Sequence, residues 1–256
     1  MDLSTLFSLK GRTALITGGS RGIGRIIAQA YLIKGARVYI SARAAEDCDR
    51  TVAELSEHGE VFSLPADVST LGGAQELSSA YAKREDSLDI LVNNAGTAWG
   101  SPFDEFPEIG WDKVVDLNLK TPFFLTQCLA PLLRKAATMN LAKVINIASV
   151  DGISVGPRET YSYAASKAGL IQLTRLMALR LAPERVVVSA IAPGAFATDL
   201  NKSARDHGDD VAAYIPLGRI GTPEDIAGAA VYLASRAGDY VVGSTLIVDG
   251  GATHAR

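Results

Sequence analysis

Tyr163 and Lys167 stand four positions apart, so on a helix they share one face with about 5–6 Å between their Cβ atoms. A free tyrosine has a pKa of about 10, too high for proton transfer at neutral pH. A neighbouring ammonium favours the phenolate, so the pair predicts a phenol drawn down towards the range where acid–base work is efficient. Tyr161 cannot form such a pair, because the residue four further on is Ala165. Ser149 follows the apolar run Lys143–Ala148, and its hydroxyl can act as a fixed dipole where charge develops on a carbonyl oxygen. A proton donor and a polarising hydroxyl together suit chemistry at a carbonyl.

A second set of residues suits phosphate. The run Thr17-Gly18-Gly19-Ser20-Arg21-Gly22-Ile23-Gly24 joins a predicted strand to a predicted helix. Glycines let the chain turn sharply there and offer backbone N–H groups at the helix N-terminus to a pyrophosphate. The spacing is Gly-x-x-x-Gly-x-Gly, and by itself it is as compatible with an ordinary tight turn as with a dinucleotide site.

Positioning these groups requires an alternation of strands and helices. Apolar runs at Thr13–Thr17, Arg37–Ser41, Val61–Pro65, Leu88–Val92, Lys143–Ala148, Val186–Ala190 and Thr245–Val248 read as strands buried on both faces of a parallel sheet. Helical spacing appears between them, as in Ile23-Ile26-Ile27-Ala30-Tyr31 and Ala168-Ile171-Leu176-Leu179. Helix starts are marked at Ser69-Thr70 and at Thr222-Pro223-Glu224-Asp225. The expected fold is one α/β domain over residues 1–256, a doubly wound Rossmann-type fold with a seven-stranded parallel sheet. The polar stretch Thr198–Ile215 breaks the alternation, as either a surface excursion or a substrate lid.

Composition narrows the remaining classes. The 256 residues include 25 Lys+Arg and 28 Asp+Glu, a net charge of −3, with no basic blocks of the kind nucleic-acid binders carry. No apolar run is long enough to span a membrane. The start Met1-Asp2-Leu3-Ser4 lacks the apolar stretch of a secretory signal, so a cytoplasmic location is expected. Cys48 and Cys128 read as core fillers, and His58, His207 and His254 have no metal-ligand spacing.

The phosphate turn is followed in order by Asn93-Asn94-Ala95-Gly96, Ser149, Tyr163-Ala164-Ala165-Ser166-Lys167, Pro193-Gly194, Gly218-Arg219-Ile220-Gly221-Thr222-Pro223-Glu224-Asp225 and Val248-Asp249-Gly250-Gly251. This ordered set resembles the short-chain dehydrogenase/reductase family across nearly the whole chain, and within it the 3-oxoacyl reductases. The resemblance implies a catalytic tetrad of Asn118, Ser149, Tyr163 and Lys167, with Asn118 holding a water that relays protons from the lysine. It also implies a cofactor site made by Gly18, Ser20, Arg21, Gly22, Ile23 and Gly24 at the phosphates, with Asp67 and Val68 at the adenine. Asn94, Ala95 and Gly96 would line the ribose, while Tyr163, Lys167, Pro193, Gly194 and Thr198 would hold the nicotinamide end. The gap from Ser149 to Tyr163 is one residue longer than the family pattern, which would reshape the loop Val150–Thr160 at the pocket mouth.

Strand 2 ends Ser41-Ala42-Arg43 without an acid, and Arg21 is expected to face the same place. A carboxylate there would select a ribose 2′-hydroxyl, whereas arginine accommodates a 2′-phosphate, so the expected cofactor is NADP(H). The implied activity is NADPH-dependent reduction of a β-ketoacyl thioester. A sugar, polyol or steroid dehydrogenase of the same family and a non-catalytic NADP-sensing protein stand as alternatives, since fold alone supports all three. Family members that use acyl carrier protein carry basic residues at positions held here by Asn140 and Glu184, with Arg134, Lys135, Lys143 and Arg185 only nearby. An acidic carrier needs a positive patch for steering, so a coenzyme A thioester or another carrier is expected to be the better substrate. A homotetramer is expected, with Gly243–Val248 at a subunit seam.

Overall fold

Seven short strands end in the turns that carry Gly18, Arg43, Asp67, Asn94, Ser149 and Gly194. The computed structural model describes residue 3 and residues 5–255, so most of the start read above, Met1, Asp2 and Ser4, lies outside the described residues, as does Arg256. The strands are β1 (Thr13–Thr17), β2 (Arg37–Ser41), β3 (Val61–Ser63), β4 (Ile90–Asn93), β5 (Ala142–Ile147), β6 (Val186–Pro193) and β7 (Thr245–Val248). They form one parallel sheet in the order β3-β2-β1-β4-β5-β6-β7. The order reverses between β1 and β4, which is where open α/β sheets hold their ligands.

The helices are α1 (Gly22–Ile33), α2 (Ala45–Leu55), α3 (Leu71–Ala82), α4 (Glu108–Val115), α5 (Thr121–Ala136), α6 (Tyr161–Leu181), α7 (Lys202–Asp206), α8 (Gly208–Ala212) and α9 (Pro223–Ala234). Successive strand residues point to opposite faces, and each face builds a large core. Ala14, Ile16, Val38, Ile40 and Val92 pack with Ile27 and Tyr31 of α1 and Ile226 and Ala230 of α9. Leu15, Tyr39, Leu91, Val144 and Val188 pack with Leu77 of α3, Leu125 and Leu129 of α5 and Met177 of α6. The predicted helix starts are built as read: Thr70 accepts from the Gly73 N–H, and Thr222 with Asp225 forms a reciprocal capping box.

Strand boundaries depart from the sequence reading in particular places. β6 runs three residues past Ala190, because Ile191, Ala192 and Pro193 pair with Leu246, Ile247 and Val248. Proline is tolerated there as the last residue of its strand. β4 begins at Ile90 rather than Leu88, since the Leu88 N–H bonds the Leu132 carbonyl and the Asp89 carboxylate takes the Thr13 N–H at 2.9 Å. β3 ends at Ser63, two residues before Pro65.

α4 and α5 are joined without a break by a π-helical turn, Asp116–Lys120, in which the Thr121 N–H reaches back five residues to the Asp116 carbonyl. Pro122 supplies a cause. It has no N–H for the Asn118 carbonyl, and its ring would press on that carbonyl in a regular helix. Such single turns gather at functional sites, and this one carries Asn118. Among the described residues, no helix is long and apolar enough to cross a membrane.

Candidate active site

The phosphate turn is built on contacts that admit only glycine. A Cβ on Gly24 would lie 2.3 Å from the Gly18 carbonyl oxygen and 2.5 Å from the Asn94 amide nitrogen. Gly18 has φ +63°, and its own Cβ would meet the same amide at 2.8 Å. The Asn94 amide donates to the Thr17 and Gly18 carbonyls at 2.9 and 3.1 Å, locking the end of β4 to the turn. Thr17 ties the same strands, its hydroxyl accepting from the Asn94 and Ala95 N–H groups at 3.1 and 3.0 Å. Thr51 anchors the turn from outside by donating to the Ser20 carbonyl at 2.9 Å.

These residues fit a dinucleotide. α1 starts at Gly22 with no side-chain cap and no acid in its first turn, so its leading N–H groups, from Gly22, Ile23 and Gly24, are suited to an anion. Gly22 has φ +52°, and beyond it a Cβ would touch only the Thr198 side chain, at 3.5 Å. The glycine turn and Thr198 are thus brought together from opposite ends of the chain. The Ile23 side chain packs against the core instead, leaving only its backbone for a ligand.

At the adenosine end, Arg43 is exposed just past β2 and its charge reaches Asp67. Burial pushes the Asp67 carboxyl up, but hydrogen bonds from Ser69 and the Arg43 charge outweigh it and hold the group below its ordinary value. A Cβ on Gly73 would fall 1.7 Å from the Asp67 carbonyl, so α3 presses directly on this loop. Val68 is buried and its carbonyl accepts from the Thr121 hydroxyl. Arg21 does not turn towards Arg43 as expected. Its guanidinium pairs with Asp199 at 3.4 Å, because the segment after Thr198 runs alongside the turn.

The tetrad residues converge at the ends of β4 and β5. Lys167 is buried on α6, with its Nζ donating to the Ile147 carbonyl at 2.6 Å and lying 5.7 Å from the Tyr163 ring centre. A Cβ on Gly96 would stand 3.2 Å from Asn118 Oδ1 and 3.7 Å from Lys167 Nζ, which sets the end of β4 against both. The buried Asn118 amide is held in two directions: Oδ1 accepts from the Thr97 N–H at 2.9 Å, and Nδ2 donates to the Thr97 carbonyl at 2.9 Å and to Ser166 at 3.2 Å. Ser149 accepts from the Asp151 N–H at 3.1 Å, opening a short turn, Val150–Gly152. That turn sits flush on α6, since a Cβ on Gly152 would approach the Lys167 carbonyl carbon to 2.6 Å.

The electrostatics correct one expectation. Burial holds the Tyr163 phenol above its ordinary value, with Ser149 hydrogen bonding and the Arg158 charge pulling down and Asp151 pushing up. Desolvation outweighs those two, and Lys167 is not among the groups that lower it. The lysine is perturbed in the opposite sense, drawn down to about 8 by burial. Tyr161 lies apart, its hydroxyl on Glu159 at 3.0 Å and its ring edge-on to Phe103 and Phe106.

Pro193 ends β6, and Gly194 follows with its N–H on the Val248 carbonyl at 2.9 Å. A Cβ on Gly194 would overlap Asp249 at 2.7 Å, while Asp249 takes the Gly251 and Thr253 N–H groups at 2.9 and 2.7 Å. Asp249, Thr17 and Gly19 are supports to which the sequence motifs containing them assign no individual role. The signal at Thr17 is a polar residue closing an apolar strand, whereas the need for glycine at Gly19, where a Cβ would strike Ile40 at 2.7 Å, shows only in the fold. The stretch Thr198–Ile215 folds as α7 and α8, with Leu200 and Tyr214 exposed and Ile215 buried.

A family model described as enoyl-(acyl carrier protein) reductase matches residues 18–253. The chain belongs to the short-chain dehydrogenase/reductase family. Within that family it is 47% identical to the rhamnolipids biosynthesis 3-oxoacyl-[acyl-carrier-protein] reductase of Pseudomonas aeruginosa, over 96% of this chain and 97% of the relative. It is 39% identical to a 2-dehydro-3-deoxy-D-gluconate 5-dehydrogenase of Dickeya dadantii, over 98% of both chains. The solved NADP active-site complex of Pseudomonas aeruginosa RhlG superimposes with a TM-score of 0.95 at 45% identity, covering 98% of this short-chain dehydrogenase/reductase and all of that chain.

Proposed function

We propose that this protein uses NADPH to reduce the keto group of a β-ketoacyl thioester to the β-hydroxyacyl thioester. The observation that carries the chemistry is the meeting of Asn118, Ser149, Tyr163 and Lys167 at the carboxyl ends of β4 and β5, beside a glycine turn suited to phosphates. The substrate class is supported by similarity to a 3-oxoacyl reductase along nearly the whole chain. Bound NADPH would supply the hydride to the carbonyl carbon. Gly18, Ser20, Gly22, Ile23 and Gly24 would hold its phosphates, with Arg43, Asp67 and Val68 at the adenosine, Asn94, Ala95 and Gly96 along the middle, and Pro193, Gly194 and Thr198 at the nicotinamide.

The rest of the work belongs to the chain. Ser149 presents its hydroxyl to the carbonyl oxygen, where negative charge develops. A phenol held above its ordinary value remains protonated at neutral pH, which is the state a proton donor in the reductive direction requires. Tyr163 therefore delivers the proton to that oxygen as it becomes an alkoxide. Lys167, fixed by the Ile147 carbonyl, holds its ammonium 5.7 Å from the Tyr163 ring centre, where it can pass a proton towards the phenolate left behind. Asn118 holds the Thr97 segment against Lys167. A water beside Asn118 would complete a proton relay to the lysine, as the family resemblance implies.

Charge gives acyl carrier protein no advantage over coenzyme A as the carrier. Arg134 and Arg180 both bond Glu184, Arg185 turns back to the Ala137 carbonyl, and Lys143 is buried against Asp239 at 2.7 Å. Little free positive charge is left there to steer an acidic carrier. A cytoplasmic homotetramer belongs to the same proposal, supported by the half-exposed apolar strand β7 at the sheet edge. The test is NADPH oxidation, followed by absorbance, against β-ketoacyl thioesters on both carriers, 2-dehydro-3-deoxygluconate, polyols and steroids. Turnover of the sugar acid in preference to every thioester would transfer the assignment to the polyol branch.

A further inference from the structure

Asp199 joins two cations that sequence separates widely. One carboxylate oxygen pairs with Arg21 of the phosphate turn at 3.4 Å, and the other accepts from Arg205 of α7 at 2.8 Å. Arg205 is held on its far side by Asp206, so it reaches Asp199 from a fixed direction. The backbone is fixed as well. Asn201 caps α7, and its own N–H bonds the Thr198 hydroxyl at 3.2 Å, while Thr198 lies against Gly22. A carboxylate is thus clamped next to the place where phosphates are expected, on the one cation inside the phosphate turn.

We propose that Asp199 is a specificity-determining residue that competes with a cofactor phosphate for Arg21, and that Arg205 moderates the competition. The inference rests on the NADPH reading above. A phosphate reaching Arg21 must displace Asp199, so part of its attraction is spent on breaking an existing pair. Arg205 divides the carboxylate's charge between two partners and weakens its hold on Arg21. The two neighbours therefore act on NADPH affinity with opposite signs. A purely structural role in shaping Thr198–Asp206 would give one sign, because loosening that segment from either side can only weaken a site that uses Thr198.

The test is a set of dissociation constants from NADPH and NADH fluorescence titrations, with no turnover involved. D199N is expected to tighten NADPH binding about fivefold and R205Q to weaken it by a similar factor, the scale of an exposed ion pair. Both effects are expected to vanish when R21Q is also present. If tightening is confined to NADPH, the displacing group is the 2′-phosphate; if NADH tightens equally, it is the diphosphate, and competition for Arg21 stands in both cases. Weakening of NADPH by D199N, or unchanged affinity in both single variants, would overturn the proposal. Equal binding of NADPH and NADH by the unaltered protein would instead remove the NADPH reading itself.

Discussion

The Lys167 ammonium donates to the Ile147 carbonyl at 2.6 Å, and this bond, not one to the phenol, fixes its place under Tyr163. The two groups share a helix face as their spacing requires, yet burial acts on them in opposite senses: the phenol rises and the ammonium falls. Both stay protonated at neutral pH, the phenol because of its burial and the ammonium in spite of it, so the margin is narrower on the lysine.

Replacing Tyr163 with phenylalanine removes the proton donor and almost no volume. The Y163F variant is expected to lose at least about a hundredfold in kcat, the usual scale for a positioned acid. Its NADPH dissociation constant should stay within about twofold of the parent. Steady-state absorbance and a fluorescence titration separate the two, and a variant retaining a tenth of parental kcat would exclude Tyr163 as the donor.

The lysine sets a pH dependence. Its ordinary value of 10.5 falls to about 8 on burial, so in that interval the unfolded chain binds a proton that the folded chain has released. Burying the ammonium costs stability below pH about 8, and the cost is relieved as pH rises towards 10.5. Activity runs the other way: kcat/KM for reduction is expected to decline above pH about 8 as the charge disappears. A 13C-lysine NMR titration should show one resonance moving near that pH and missing from K167M.

Arg43 is exposed and makes no hydrogen bond or ion pair with the described residues, so its charge is available to a ligand. R43D is expected to weaken NADPH by about tenfold or more, the range for a hydrogen bond to a charged group. NADH should be little affected. Unchanged NADPH affinity by calorimetry would mean that Arg43 plays no part in the site.

Much of this was readable from the chain and some of it was not, for reasons that differ by residue. Continuous apolar runs such as Leu15-Ile16 or Val187-Val188 identify central strands because both faces of a parallel sheet are buried. Tyr163 and Lys167 were legible because helix geometry alone makes them neighbours. The direction of Arg21 was not, since its partner lies 178 residues away. The phenol was misread for a related reason: spacing reports proximity, whereas burial depends on everything packed around the pair. The π turn left a sign in Pro122, four residues after Asn118, but proline near a helix start usually marks a first turn.

Close packing at the phosphate turn predicts a stability effect. G24A forces a Cβ to within 2.3 Å of the Gly18 carbonyl and 2.5 Å of the Asn94 amide. The expected loss is about 1–3 kcal/mol, the range for overpacking, together with weaker NADPH binding. Thermal denaturation should show a midpoint lower by several degrees, and an unchanged midpoint would mean that the turn yields without cost.

Substrate preference is testable through the segment Thr198–Ile215. Leu200 and Tyr214 are exposed there, offering apolar surface to an acyl chain. Each methylene they cover would contribute about 0.8 kcal/mol, so kcat/KM for β-ketoacyl thioesters is expected to rise beyond four carbons, roughly in line with that increment. Y214S should flatten the rise. A flat profile in the unaltered protein would place the chain outside this surface.

The π turn at Asp116–Lys120 amounts to one residue inserted into an otherwise regular helix. An added residue rotates everything after it by about 100° about the helix axis, since 3.6 residues complete a turn. α4 packs on α6, while α5 packs on α3 and the sheet, and the phase change lets a single rod present differently oriented faces to these partners. The segment beside the tetrad and the segment that braces the core can therefore drift in sequence independently, and removing one residue between Val115 and Thr121 would force one of the two faces out of register.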